Sequence, residues 1–189
     1  MSATANETLV RQIILDNPEL CQLLQIVQKL QLPQGALAAG CIRNTVWSVL
    51  SQQPVTFASD IDVVYFDKTQ PASHDLSVQD KLQQAFPQYQ WQVKNEVYMH
   101  QYNFADQPPF TSVTDAIGHF VETATGVGAY LDPQNQLQLI TPHGLTDLVQ
   151  FICRPAPYLQ QDAAHLAIFK QRIQQKDWQQ RYQQLSVVY

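Results

Sequence analysis

Ser59-Asp60-Ile61-Asp62-Val63-Val64-Tyr65-Phe66-Asp67 decides how this chain is read. Two carboxylates, one residue apart, lead into an apolar, β-prone run. Successive side chains of a strand point to opposite faces, so Asp60 and Asp62 point the same way, with Cβ atoms roughly 6–7 Å apart. At that spacing both can converge on one or two hard divalent cations. Mg²⁺ is commonly held by one or two carboxylates together with substrate phosphates. The same pair would also suit a solvated sheet edge. Asp67 falls on the opposite face if the strand runs on, and reads as a turn residue closing it before Lys68.

Upstream, Ala36-Leu37-Ala38-Ala39-Gly40-Cys41-Ile42-Arg43-Asn44-Thr45-Val46-Trp47 reads as a short buried strand, a glycine turn and an amphipathic helix. Ile42, Val46, Val49 and Leu50 recur at helical spacing. Gly40 lets the backbone approach a ligand closely, and the free N–H groups of a helix start attract phosphate. Arg43, in the first helical turn, is placed to grip phosphate as a planar fork. One turn thus offers phosphate donors and the following strand offers a metal site, the two requirements of nucleotidyl transfer.

Gly40-x-x-Arg43 followed by Asp60-x-Asp62 resembles the DNA polymerase β-type nucleotidyltransferase superfamily. The chain is more closely similar to a bacterial family of small nucleotidyltransferase-like proteins. That likeness is carried by residues 39–47, by Ser59 to Asp67, by Trp91-Gln92-Val93-Lys94-Asn95 with Met99-His100, by Glu122-Thr123-Ala124-Thr125, and by Pro142-His143-Gly144-Leu145-Thr146-Asp147-Leu148. The stretch from Thr125 to Leu148 also resembles the head domain of tRNA nucleotidyltransferases. The resemblance implies a mixed sheet flanked by helices, a nucleoside triphosphate substrate and a Mg²⁺ or Mn²⁺ cofactor on Asp60 and Asp62. It also implies a third carboxylate on a neighbouring strand. Asn95 occupies that position and carries no charge, Glu96 falls on the other face of its strand, and Glu122 is the remaining candidate. Lys94 is the next cation able to reach the site. Cys41 replaces the hydroxyl or glycine usual after the glycine and reads as a buried thiol. His100 reads as a hydrogen-bonded structural histidine.

The 189 residues carry a formal net charge of −5, and 45% are hydrophobic. Only 14% are charged, against the usual quarter, and glutamine supplies the missing polarity. The acidic balance argues against broad nucleic-acid binding, which normally needs a basic face. No apolar run is long enough to span a membrane, and the N-terminus lacks the pattern of a secretory signal. Cys21, Cys41 and Cys153 are too few and too scattered for a disulfide framework or a zinc site, which suits a reducing cytoplasm.

Along the chain, Asn6 is expected to cap a helix ending near Leu15, and a second helix carries Leu20, Leu23, Leu24, Val27 and Leu30. Strands are expected at 36–39, 61–66 and 90–98, helices at 42–51 and 78–86, and a short helix capped by Ser112 with Asp115. Val127 to Leu131 and Leu137 to Ile140 flank a turn and form a hairpin. A helix near 144–152 precedes one or two helices over 161–184, where Lys170, Arg172, Lys176 and Arg181 read as a solvated tail. The expected fold is α/β (α+β), a mixed sheet of the minimal nucleotidyltransferase type. A nucleotidyltransferase-like domain over 1–158, with N-terminal helices in 1–33, would carry a helical extension over 159–189. The expected activity moves a nucleoside monophosphate from an NTP to an unidentified hydroxyl acceptor, with Asp60, Asp62 and Glu122 catalytic and Gly40, Arg43 and Lys94 on the nucleotide. The alternative is a catalytically silent nucleotide-binding or protein-interaction module on the same fold.

Overall fold

Asn17-Pro18 divides the first two helices. Proline is tolerated in the first turn of a helix, and the Asn17 side chain accepts the Leu20 N–H, capping α2 (Pro18–Lys29). α1 (Ala3–Leu15) precedes it. The computed structural model describes residues 3–105 and 107–189. Asn6 lies inside α1 rather than capping it. It is buried, donates weakly to Thr146 Oγ1 at 3.5 Å, and its Oδ1 has no partner.

Five strands form the main sheet: β1 (Ala36–Ala38), β2 (Ile61–Tyr65), β3 (Trp91–Asn95), β4 (Gly128–Leu131) and β5 (Leu137–Ile140). Their order is β3-β2-β1-β4-β5. β2 and β3 run parallel, joined through α4 (His74–Ala85), and the other pairs are antiparallel. α3 (Gly40–Leu50) connects β1 to β2. The sheet is therefore mixed, as the alternation of helices, strands and one hairpin predicts. β4 and β5 are the predicted hairpin, and the Ser112 hydroxyl caps α5 (Val113–Gly118) by accepting the Asp115 N–H.

The alternation of the strands divides the interior. Leu37, Ile61, Val63, Tyr65, Trp91 and Val93 face a large core that α1, α2, α3 and α4 cover. Ala36, Ala38 and Val64 face the other way, where α5 supplies Val113, Ala116 and Ile117. That second layer is smaller, and it contains a cavity beside β2 and β3.

The C-terminal segment belongs to the large core. α6 (Thr146–Val149), β6 (Ile152–Cys153), a 3-10 turn over Pro157–Gln160, α7 (Ala163–Gln175), α8 (Trp178–Arg181) and β7 (Ser186–Val187) follow the hairpin. Phe169 and Tyr182 are fully buried there, and β7 pairs with β6. Tyr182 and Phe151 pack against Trp47 of α3 at ring separations of 5.2 and 5.9 Å.

β3 ends sooner than its sequence suggests. At Asn95 the chain turns into a single 3-10 turn, Glu96–Tyr98. Asn95 is fully buried on the large-core side of the sheet. Its Oδ1 accepts the Asp67 N–H at 3.0 Å and its Nδ2 donates to the Asp67 carbonyl at 2.7 Å. Asp67 in turn accepts from Thr69 N and Oγ1. Asn95 thus ties the ends of two parallel strands and is withheld from any metal. We expect Asn95→Ala to lose about 1–2 kcal/mol, because it removes two hydrogen bonds to the partly buried Asp67 backbone. Urea unfolding of the variant checks this, with nucleotide affinity of the folded fraction unchanged.

Candidate active site

Parallel pairing puts Asp62 beside Gln92 and Val64 beside Lys94. Even-numbered residues of β2 and β3 therefore share a face. Glu96 continues that parity just past the end of β3. Asp62, Lys94 and Glu96 all line the cavity of about 390 Å³, together with Ala39, Thr125 and Arg172. His100, Phe110, His119 and Tyr158 complete much of the remaining wall.

The carboxyls in this cavity are short of compensating charge. Burial pushes Asp62 up to about 6, and the nearby Asp60 charge adds to the rise. Arg43, Arg172 and a hydrogen bond from the Gly40 N–H act in the opposite sense. Glu96 is pushed up to about 8 by burial, then by Asp62 and Asp75, with Lys94 opposing. Asp60 itself precedes β2 and is exposed. Among the described residues, no three His, Cys, Asp or Glu side chains converge tightly enough to hold a metal ion.

The turn between β1 and α3 brings the backbone to the carboxylate. Ala39 takes φ +52° and ψ −121°, a region that disfavours any residue with a Cβ and tends to occur at functional sites. The turn delivers the Gly40 N–H to Asp62, so that donor serves the carboxylate in this structure. Cys41 is buried and its thiol is pushed up by burial, which keeps it protonated and unreactive.

Arg43 does not reach the cavity wall. It is 4% exposed. Its Nη1 donates to Thr125 Oγ1 at 2.7 Å, its Nη2 to Asn44 Oδ1, and its guanidinium lies 4.2 Å from the Trp178 ring centre. Desolvation lowers it to about 10, with Glu122 the largest opposing influence. The sequence reading placed this side chain on phosphate; the structure turns it inward, because Thr125 and Trp178 supply the partners. Glu122 is likewise fully buried and sits outside the cavity lining. Its Oε1 accepts from Arg172 Nε at 2.6 Å, and its Oε2 has no partner. The structure thus brings Glu96, and not Glu122, into the wall that holds Asp62.

Two residues stand elsewhere than the sequence reading put them: Glu96, expected on the other face of its strand, and Arg172, expected in a solvated tail, both line the cavity with Asp62. Glu96 could have been found by extending one parity across both strands: if Ile61 and Val63 face the core with Trp91 and Val93, then Asp62 faces out with Lys94 and Glu96. Arg172 could have been found from Phe169, three residues earlier on the same helical face. His100 fits its structural reading, with Nδ1 at 3.2 Å from the Val97 carbonyl, although its ring also borders the cavity.

Two outcomes follow. Asp62 and Glu96 hold protons in the folded chain that they release on unfolding, where their ordinary values are 3.8 and 4.5. Their contribution to stability is complete below those values and is lost as pH rises through about 6 and then about 8. Metal-free protein should therefore become less stable from pH 5 to pH 8.5 (roughly the window of both carboxyls). Glu96→Gln should flatten the upper part of that slope in thermal unfolding. Arg43→Ala loses a charged hydrogen bond and a cation–π stack, so we expect a loss of about 2–4 kcal/mol in urea unfolding.

Comparison with known proteins gives the family and the fold. A family model described as "Nucleotidyltransferase" matches residues 25–187. The search of curated proteins gave no match. Among solved structures, one described as an NMR structure revealing a CCA-adding enzyme head domain is 33% identical, with a TM-score of 0.87. The match covers 95% of this chain and 94% of that one. A CCA-adding enzyme in complex with CTP is 13% identical with a TM-score of 0.60, and the match covers 97% of this chain and 43% of that one. The Thermotoga maritima CCA-adding enzyme complexed with tRNA is 12% identical at the same TM-score, with 95% and 42% covered. The chain thus spans a little over two fifths of these two enzymes, whose likeness is one of fold. The family model over residues 25–187 and the 33% identical structure matched over most of both chains make it a member of the nucleotidyltransferase family.

Proposed function

We propose that this protein transfers a nucleoside monophosphate from an NTP to a hydroxyl acceptor, with Mg²⁺ or Mn²⁺ as cofactor. One observation carries the reading: Asp62, Lys94 and Glu96 share one sheet face and one cavity, with the glycine turn of α3 against Asp62. The acceptor oxygen would bond to the α-phosphorus, the bond from that phosphorus to the bridging oxygen would break, pyrophosphate would leave, and the acceptor's proton would pass to solvent or a base.

The donor type suits a hard dication, although Asp60 is exposed and outside the cavity lining and the three acids do not converge among the described residues. Asp60, Asp62 and Glu96 offer only carboxylate oxygens, the ligand type such ions take. Asp62 and Asp60 would hold the ion and Glu96 would be the third acid. Substrate phosphates and water would fill the coordination that two or three carboxylates leave open. When bound, the ion would neutralise charge developing on the phosphoryl oxygens. Lys94 sets a positive charge in the same cavity as those acids. Without a cation, burial pushes Glu96 up to about 8, which favours its protonated form near neutral pH.

The nucleotide in this proposal draws support from the relative described with CTP. The acceptor stays open, because the relative described with tRNA extends well beyond the matched region. Among the described residues no helix is long and apolar enough to cross a membrane. A cytoplasmic setting is part of the proposal, supported by three free thiols.

The second reading, a silent nucleotide-binding module, is favoured by two observations. No three-acid metal cluster is formed among the described residues, and Arg43 is turned away from the cavity. Incubation with labelled NTPs and candidate hydroxyl acceptors in Mg²⁺ or Mn²⁺, scored by pyrophosphate release, separates the two. We expect turnover in the wild type. Groups that merely support a metal's ligands commonly cost about 10–100-fold when replaced, so Glu96→Gln should lose at least that much and Asp62→Asn at least about 100-fold. Mg²⁺ titration should show weaker binding in both. Nucleotide binding without turnover for any acceptor would establish the silent module.

A further inference from the structure

Lys170, Arg172 and Lys176 lie in or just after α7, and Arg172 is only half exposed. Arg172 stands three residues after Phe169, which is buried in the core, and the same helical face carries Arg172 into the cavity wall. There it meets Glu122, a carboxylate with no exposure, while its own side chain is 35% exposed. A buried carboxylate needs a cation, and removing the partner is strongly destabilising. Glu122 therefore fixes the guanidinium in place.

The ion pair uses Arg172 Nε alone. Among the described residues none accepts a hydrogen bond from its two terminal nitrogens. Arginine binds phosphate best through those terminal donors, which match two phosphate oxygens as a fork. Trp178 stacks near the same guanidinium at 5.8 Å, which limits its rotation. Lys94 is the cavity's other cation, a point charge on β3. The two arrive from the sheet and from the C-terminal helix, and both border the cavity that contains Asp62.

We infer that Arg172 is the residue that grips the polyphosphate of the nucleotide, and that Glu122 is its positioning residue. This rests on the nucleotidyl-transfer reading of the cavity. It gives the C-terminal helix a place in the site, and it assigns to Arg172 the role the sequence suggested for Arg43. Glu122 acts through Arg172, holding one edge of the guanidinium so that the other edge is presented to the ligand.

The test compares binding of α,β-methylene NTP analogues with binding of the matching nucleoside monophosphates, in Mg²⁺, by calorimetry. Arg172→Lys keeps a charge beside Glu122 but removes the fork. The Glu122→Gln/Arg172→Gln double variant removes both buried charges together, so its folding does not depend on an unpaired ion. Each should lose roughly 10- to 100-fold in analogue affinity, the range for hydrogen bonds to a charged group, while monophosphate affinity stays within about twofold. Glu122→Gln alone should show a smaller loss of the same kind. A structural role would instead lower both affinities in parallel, and that result overturns the inference. So does wild-type analogue affinity in both Arg172 variants, alongside loss of Mg²⁺-dependent tightening in Asp62→Asn; in that case the reading of the cavity stands without Arg172. No analogue binding by the wild type in Mg²⁺ or Mn²⁺ overturns the reading of the cavity and the inference with it.

Discussion

Alternation along β2 and β3 governs everything else in this molecule. Each strand turns successive side chains to opposite faces, and parallel pairing locks the two alternations together. Ile61, Val63, Trp91 and Val93 are committed to the large core, so Asp62, Lys94 and Glu96 have no choice of side. A slip of one residue would turn the Asp62 carboxylate of β2, or the Lys94 ammonium of β3, into the core and expose a Val or Trp. Hydrophobic burial, at about 25 cal/mol per Å², therefore fixes the register that assembles the charged wall. The site costs little of its own to position, because the core determines it.

The second organising feature is a group of two buried charges and one half-buried charge. Glu122 has no exposure, Arg43 has 4%, and Arg172 is half-buried. Moving such groups from water costs several kcal/mol each unless they compensate one another. Arg172 does so through an ion pair with Glu122, and Arg43 through Thr125 and the Trp178 ring. Two atoms in the group, Arg43 Nε and Glu122 Oε2, have no partner among the described residues. The group joins α3, the segment after α5, α7 and α8, elements far apart in sequence. Its role is to hold the C-terminal segment in one position against the sheet, and the direction in which Arg172 points is a consequence.

Much of the frame was legible because it depends on local rules. Asn17-Pro18 marks a helix start through a side-chain cap and a proline ring. The hairpin follows from two apolar runs around Asp132-Pro133-Gln134-Asn135, and Asp132 accepts from Gln134 and Gln136 N–H groups to close it. Asp62 was legible for the same reason. What was hidden depends on tertiary partners. Asn6 looks like a cap, but its helix starts earlier, at Ala3. Asn95 looks like a weakened metal ligand, but Asp67 claims both ends of its amide. Arg43 looks exposed in a first helical turn until Trp178, more than a hundred residues later, lies over it. Spacing within an element reveals which face a residue occupies, and it cannot reveal what a distant segment brings to that face.

This difference bears on why so lightly charged a chain can have a polar site at all. Few ionisable groups are available, and a share of them is spent in two adjoining places: the wall with Asp62, Lys94 and Glu96, and the buried group with Glu122, Arg43 and Arg172. Arg172 belongs to both. Its Nε satisfies the buried carboxylate, and its charge lowers the Asp62 carboxyl across the cavity. A dication on the acids would favour the ionised carboxyls that burial opposes at Glu96 and Asp62, and a polyphosphate would engage the terminal donors of Arg172, which have no partner among the described residues. Opposite ligand charges would then bind the same cavity cooperatively, since each makes the other's surroundings more favourable. Such a cavity has no need of a preformed three-acid metal cage. The nucleotide itself would supply the missing ligands, and the C-terminal helix would hold that nucleotide in register with the sheet.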